Sequence, residues 1–85
     1  MPAGTPVNRT WVVITRDGSY VIDWGDNLFQ DVQSGDFIKV KESDISHHPS
    51  DEELDWLVHI NRVHHYDSRT IYFYNLPERP QHTID

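Results

Sequence analysis

The sequence predicts an α+β domain, a curved antiparallel sheet of about five strands in the order β-β-β-β-α-β with one amphipathic helix packed on one face. Three observations lead to this class. Short runs of β-branched and aromatic residues alternate with turn residues in the first half of the chain. One capped, amphipathic segment follows. A last run rich in β-formers comes after that segment.

The first two strands are predicted over residues 10–16 and 19–24, with Asp17 and Gly18 as the turn between them. Asp-Gly is a strong signal for a two-residue hairpin of type I′, because that turn needs positive φ at both positions. Three cross-strand pairs follow from this turn, namely Thr15–Tyr20, Val13–Ile22 and Trp11–Trp24. Both faces of the hairpin are then apolar, whereas a simple two-layer domain leaves one face in water.

Two weaker strands follow over residues 28–33 and 37–41, after turns at 25–27 and 34–36. The helix is predicted to begin after Ser50, because Ser50 and Glu53 have the spacing of a capping box, and to run to about residue 63. Its apolar face centres on three residues, Leu54, Leu57 and Ile60. The last predicted strand covers residues 69–75.

Length and composition limit the kind of protein. Eighty-five residues predict one domain, which we expect over residues 9–76, with a flexible segment at 1–8 and a mobile tail at 77–85. The absence of cysteine excludes a disulfide scaffold, thiolate zinc sites and cysteine nucleophiles. A net charge of −7 disfavours nucleic-acid binding, and no apolar run reaches the ~18 residues of a membrane span. A cytoplasmic location is the expectation.

Catalytic and metal sites have weak support in the sequence. Gly-x-Ser-x-Gly and glycine-rich phosphate loops are absent, so we expect no cofactor and lean against an enzyme. The histidine pairs 47–48 and 64–65 flank one helix about 20 Å long, too far apart to share one ion within a monomer, so no metal site is predicted. The alternative is a pocket between helix and sheet, in which Asp23 works with His59 or His65.

The predicted function is binding without catalysis, as expected of a small acidic interaction module such as an accessory protein of a mobile or environmental genetic element. Exposed tryptophan and tyrosine are enriched at protein interfaces. The predicted surface consists of five aromatic residues, Trp11, Trp24, Trp56, Tyr72 and Tyr74. The partner is expected to be a second copy of the chain, in a homodimer that covers the second sheet face, or another protein or small molecule. Closure of the sheet into a barrel is the competing explanation for that face, and an acidic inhibitor that mimics nucleic acid is a further alternative.

Overall fold

The computed structural model describes residues 4–74 and 76. Within them the chain forms eight strands and one α-helix. The strands are β1 (Thr5–Asn8), β2 (Val12–Thr15), β3 (Tyr20–Gly25), β4 (Leu28–Asp31), β5 (Phe37–Ile38), β6 (Ile45–His47), β7 (Val63–Tyr66) and β8 (Thr70–Phe73). The helix α1 covers Asp51–His59, and 3-10 turns lie at Arg9–Trp11 and Glu42–Asp44. The strands form a three-stranded sheet in the order β1-β8-β7, called sheet A, and a five-stranded sheet in the order β5-β4-β3-β2-β6, called sheet B.

The predicted class is confirmed, since the chain is α+β with a five-stranded antiparallel sheet and one helix. Sheet A was not predicted as a separate sheet, and neither were strands β1, β6 and β7. Strand β1 lies within residues 1–8, where the sequence predicted a flexible segment. It pairs with β8, and Val7 within it is 1% exposed, so long-range pairing and burial give this segment its structure. The predicted tail at 77–85 lies outside the described residues.

The predicted register of the first hairpin was wrong by one residue. The observed pairs are Val12–Ile22, Val13–Val21 and Ile14–Tyr20. Among the turn residues only Gly18 has positive φ, at 90°, so the loop is three residues long, a type I turn followed by a left-handed glycine. The Gly18 amide donates to the Thr15 carbonyl over 2.9 Å, and the Thr15 amide donates to Ser19 over 2.9 Å. The type I′ conformation occurs one turn later, where Asp26 and Asn27 both have positive φ.

The helix is shorter than predicted and ends with a clear stop signal. Asn61 has a φ of 63°, in the left-handed region. Its amide donates to the Val58 carbonyl over 3.0 Å, and the Arg62 amide donates to Leu57 over 2.9 Å. These two bonds form a Schellman motif with asparagine in the usual place of glycine. The chain is therefore free to enter β7 at Val63.

Both sheets and the helix share one hydrophobic core. Sheet B contributes Val12, Ile14, Tyr20 and Ile22, sheet A contributes Val7, Val63, Ile71 and Phe73, and the helix contributes Leu54 and Leu57. The helix is held on both flanks. The Tyr20 hydroxyl of sheet B donates to the Glu53 carbonyl over 3.1 Å, and the Tyr66 hydroxyl of sheet A donates to the Asp55 carboxylate. No helix among residues 4–74 is long and apolar enough to cross a membrane.

The other face of sheet B is covered by the chain itself. Strands β5 and β6 lie at opposite edges, so residues 39–44 must pass from one edge to the other, and we call them the crossing segment. Val40 of this segment, together with Ile45, packs against a second small cluster of Val13, Val21 and Phe29. The sheet is open within the described residues, so the crossing segment, and not barrel closure, covers this apolar face.

Candidate binding surface

The outer face of sheet A begins with the alternation of strand β8. Ile71 and Phe73 are 0% exposed and point into the shared core. Because successive side chains of a strand point to opposite faces, Tyr72 points outward, and Tyr74 follows it on the same side just beyond the strand. Tyr74 is 36% exposed. The two tyrosines that the sequence predicted as binding residues therefore share one outward surface.

Neighbouring strands extend this surface on both sides of β8. Pro6 of β1 lies opposite Tyr72, and His65 of β7 lies opposite Tyr72 on its other side. The His65 and Tyr72 rings have centroids 5.9 Å apart at an interplanar angle of 33°. A proline on an edge strand removes one backbone donor and so blunts that edge against further strand pairing. The β1 edge is therefore poorly suited to pairing with a further strand.

The second histidine of β7 contacts the second tyrosine. His64 Nδ1 and the Tyr74 hydroxyl are 2.8 Å apart, within hydrogen-bond distance. Their rings meet edge to face, with centroids 5.1 Å apart and an interplanar angle of 61°. We call the surface formed by Pro6, His64, His65, Tyr72 and Tyr74 the tyrosine–histidine face.

The composition of this face differs from that of the whole chain. None of its five residues carries a formal charge at pH 7 with histidine neutral, whereas 25% of the chain is charged and the net charge is −7. The centres of protein interfaces are depleted of charged residues and enriched in aromatic ones. The tyrosine–histidine face has both properties.

The three tryptophans lie elsewhere. Trp11 is 43% exposed, and its ring centroid lies 6.1 Å from that of Trp24. Trp24 packs against the shared core and donates its indole N–H to the buried Gln30 side chain over 3.0 Å. Trp56 of the helix is 42% exposed and stacks on Tyr20, with centroids 5.4 Å apart. The five predicted aromatic residues thus fall into three groups, and no ring contact joins these groups within the described residues.

The alternative pocket residues are not brought together. Asp23 lies opposite Phe29 on the outer side of sheet B, where its carboxylate accepts the Gly25 amide over 2.9 Å and so stabilises a turn. His59 is the last, exposed residue of α1, and His65 belongs to the tyrosine–histidine face. No hydrogen bond connects Asp23 to a histidine in the part of the chain that the structure describes.

Two clefts lie beside the crossing segment on the outer side of sheet B. One has a volume of about 320 Å³ and is lined by Arg16, Asp17, Lys39 and Asp44 together with apolar residues. The other has about 540 Å³ and includes Lys39, Lys41 and Glu42. The first cleft has two cations and two carboxylates, and the second has two lysines and one carboxylate, so neither cleft has a strong excess of one charge.

The other histidine pair, His47 and His48, precedes the helix, and both residues have partners within the protein. His47 Nε2 lies 2.9 Å from a Glu53 carboxylate oxygen, and His48 Nδ1 lies 3.0 Å from the Val12 carbonyl oxygen. Within residues 4–74 and 76, no three histidine or acidic side chains are grouped in a way that could hold a metal ion.

Sequence reasoning did not place His64 or Pro6 on the candidate binding surface. The signal for Tyr72 and Tyr74 was their alternation with Ile71 and Phe73, which is local. His64 and Pro6 join them only because β7 and β1 flank β8, and neither strand has a run of strong β-formers.

Comparison of the chain with protein-family models, with curated proteins and with solved structures gives no match.

Proposed function

We propose that this protein is a non-catalytic interaction module that associates with a second copy of itself through the tyrosine–histidine face. The observation that carries the proposal is the absence of formal charge on that face in a chain of net charge −7. Two copies of an acidic protein repel each other, and this repulsion is weakest where each presents a neutral surface. A neutral aromatic face is therefore the surface on which a second copy meets the least electrostatic opposition.

The geometry of a sheet face suits a symmetric contact. Two sheets stack face to face at about 10 Å, with their strands within about 30° of each other. A twofold axis places the same patch on both subunits, so Tyr72 and Tyr74 of one copy would pack against the same tyrosines of the other. Tyrosine suits this role because it has a large apolar ring and a hydroxyl that can hydrogen-bond across the interface.

The area of the tyrosine–histidine face limits the expected strength of the dimer. Three strands about 4.8 Å apart and four residues of about 3.3 Å each give a footprint of roughly 200 Å². Stable interfaces bury about 800 Å² on each partner. We therefore expect a weak, concentration-dependent dimer, unless surfaces around the face also take part.

The test is sedimentation equilibrium at pH 7.5 over a concentration series that extends to the millimolar range. The wild-type protein is expected to shift from monomer to dimer as its concentration rises. Tyr74→Glu places a carboxylate on each side of the twofold contact and is expected to keep the protein monomeric throughout.

Trp56→Glu is the matched control, because Trp56 is an equally exposed aromatic residue on another surface. It is expected to dimerise like the wild type. A dimer that survives Tyr74→Glu and is lost in Trp56→Glu would place the interface on the helix and contradict the proposed face. A protein that stays monomeric at every concentration would overturn self-association itself.

Mimicry of nucleic acid has less support than self-association. A mimic needs carboxylates that are free to meet a basic partner, and the densest acidic group of the chain lies in the helix. Asp51 pairs with Arg9, Glu53 with His47, and Asp55 accepts the Tyr66 hydroxyl. Glu52 is the remaining member of that group. Three of these four carboxylates therefore already have partners within the protein.

A further inference from the structure

We propose that His64 and His65 make this self-association sensitive to pH, so that protonation of the two histidines separates the subunits. The inference rests on the proposed function, because it concerns the same face. Its structural basis is the position of His64 and His65. They are the only two residues of the tyrosine–histidine face that can gain charge near neutral pH. They are adjacent in β7, and His64 contacts Tyr74 while His65 contacts Tyr72.

Among the residues that the structure describes, few charged groups near the two histidines could compensate a proton. Strand β8 presents Tyr72 and Tyr74, and β1 presents Pro6. Asp67, in the turn after β7, is a nearby carboxylate, and its pKa is lowered mainly by the amides of Arg69 and Thr70, with a smaller effect from His65. Asp67 already accepts the amides of Arg69 and Thr70 over 2.8 Å each. Arg62 precedes β7 and adds a charge of the same sign as a protonated histidine.

Protonation changes the hydrogen bond at Tyr74. Neutral His64 can accept the Tyr74 hydroxyl proton at Nδ1, whereas protonated His64 can only donate there. The Tyr74 oxygen must then accept, and its hydroxyl proton turns toward another acceptor. One proton on His64 therefore alters both the charge of the face and the polarity of its most exposed tyrosine.

In the monomer the protonated histidines are hydrated. In a symmetric dimer two copies of His64 and two of His65 would meet at one interface, where four positive charges lose water and repel one another. The dimer therefore binds protons less tightly than the monomer. By linkage, acidification then favours the monomer.

The net charge of the protein predicts the opposite trend. Protonation of all six histidines changes the charge from −7 to −7 + 6 = −1. Reduced repulsion between the copies would then strengthen association at acidic pH. The sign of the pH effect thus separates a local switch on the face from general electrostatics.

The experiment measures the dimer dissociation constant of the wild-type protein by sedimentation equilibrium at pH 7.5 and 5.5 in the same salt. The switch predicts a dissociation constant at least tenfold higher at pH 5.5. The double variant His64→Gln/His65→Gln keeps polar side chains without a titrating group and is expected to show no weakening at pH 5.5. His59→Gln, an exposed histidine of the helix, is the control and is expected to respond like the wild type.

Near-ultraviolet circular dichroism at both pH values shows whether the fold is retained. A wild-type dimer that is equally tight or tighter at pH 5.5 overturns the switch and leaves the proposed function standing. A double variant that still weakens on acidification also overturns the switch. A wild-type protein that is monomeric at both pH values overturns the proposed function, and the switch with it.

Discussion

Gly4 and Gly18 both have a backbone in the left-handed region, but the space around them differs. Gly4 has a φ of 78° and Gly18 a φ of 90°. A Cβ on Gly4 would lie 2.8 Å from the Phe73 carbonyl oxygen, whereas a Cβ on Gly18 would meet nothing within 4 Å. The pair therefore separates the cost of backbone strain from the cost of a clash with another strand.

Gly18→Ala is expected to lower the free energy of unfolding by about 1 kcal/mol, from the left-handed backbone alone. Gly4→Ala has the same backbone strain and also a clash between the new Cβ and the Phe73 carbonyl oxygen, which only a shift of the β8 backbone can relieve. It is therefore expected to lower the free energy of unfolding by about 2–3 kcal/mol. Thermal unfolding measures both, at about 4–8 °C per kcal/mol for a domain of this size. Gly18→Asn is the control. It is expected to be less destabilised than Gly18→Ala, because asparagine tolerates the left-handed region of the backbone. Equal destabilisation by the two alanine variants would show that β8 yields without cost.

At the level of elements, the helix has strong signals at both ends. The Ser50 hydroxyl accepts the Glu53 amide, and the Glu53 carboxylate accepts the Ser50 amide over 2.8 Å. His47 of β6 also contacts that carboxylate, so the cap connects the helix to the edge of sheet B. The capping box therefore fixes where the helix begins and where it attaches.

Ser50→Ala is expected to lower the free energy of unfolding by about 1 kcal/mol, because one amide of the first turn loses its acceptor. Denaturation in urea, followed by tryptophan fluorescence, measures the change. Ser68→Ala, in the exposed turn between β7 and β8, removes the same hydroxyl without a cap and is expected to leave the stability nearly unchanged. If both variants lost the same free energy, the cap would not be the cause.

The elements that local chemistry specifies could be predicted. The start of α1 follows from Ser50 and Glu53, and β3 and β8 follow from their β-branched and aromatic residues. The register of the first hairpin could not be predicted, because Asp17-Gly18 is compatible with both a two-residue and a three-residue loop. The histidine-rich strands β6 and β7 have little strand propensity of their own, and pairing with β2 and β8 makes them strands.

For the whole molecule, three carboxylates with lowered pKa values link stability to pH. The Thr15 hydroxyl, with Ser19, lowers the pKa of Asp17. The Ser50 amide, and then His47, lower the pKa of Glu53. The amides of Arg69 and Thr70 lower the pKa of Asp67. A carboxylate with a lowered pKa in the folded state stabilises the fold above its unfolded pKa, and this contribution is lost as the pH falls through the folded pKa.

The melting temperature is therefore expected to fall progressively as the pH drops below about 4.5, where these carboxylates begin to protonate in the unfolded chain. Scanning calorimetry from pH 6 to pH 2.5 tests this. Asp67→Asn keeps an acceptor and removes the titrating group, so its curve should be flatter in this range. A melting temperature that is constant down to pH 3 would contradict the role of these three turns.

The candidate surface could be predicted only in part, because it depends on how distant segments assemble. The exposure of Tyr72 and Tyr74 follows from the alternation in β8. The tryptophans were expected to join them, but Trp24 and Trp56 lie along sheet B and the helix, on the periphery of the shared core. The strands form two separate sheets, and the alternation of side chains within a single strand does not predict to which sheet that strand belongs.

The pairing of β1 with β8 has a consequence for synthesis. Thr5 lies opposite Phe73, so β1 leaves the ribosome well before β8, the strand with which it pairs. Four of the five strands of sheet B, β2 to β5, lie in the first half of the chain. They are consecutive neighbours in the sheet, so they can begin to assemble while translation continues. Strand β1 has no such early partner, because its neighbour in sheet A is β8. The proposed binding face therefore forms only after β8 has been synthesised, which prevents chains that still lack β8 from pairing through it.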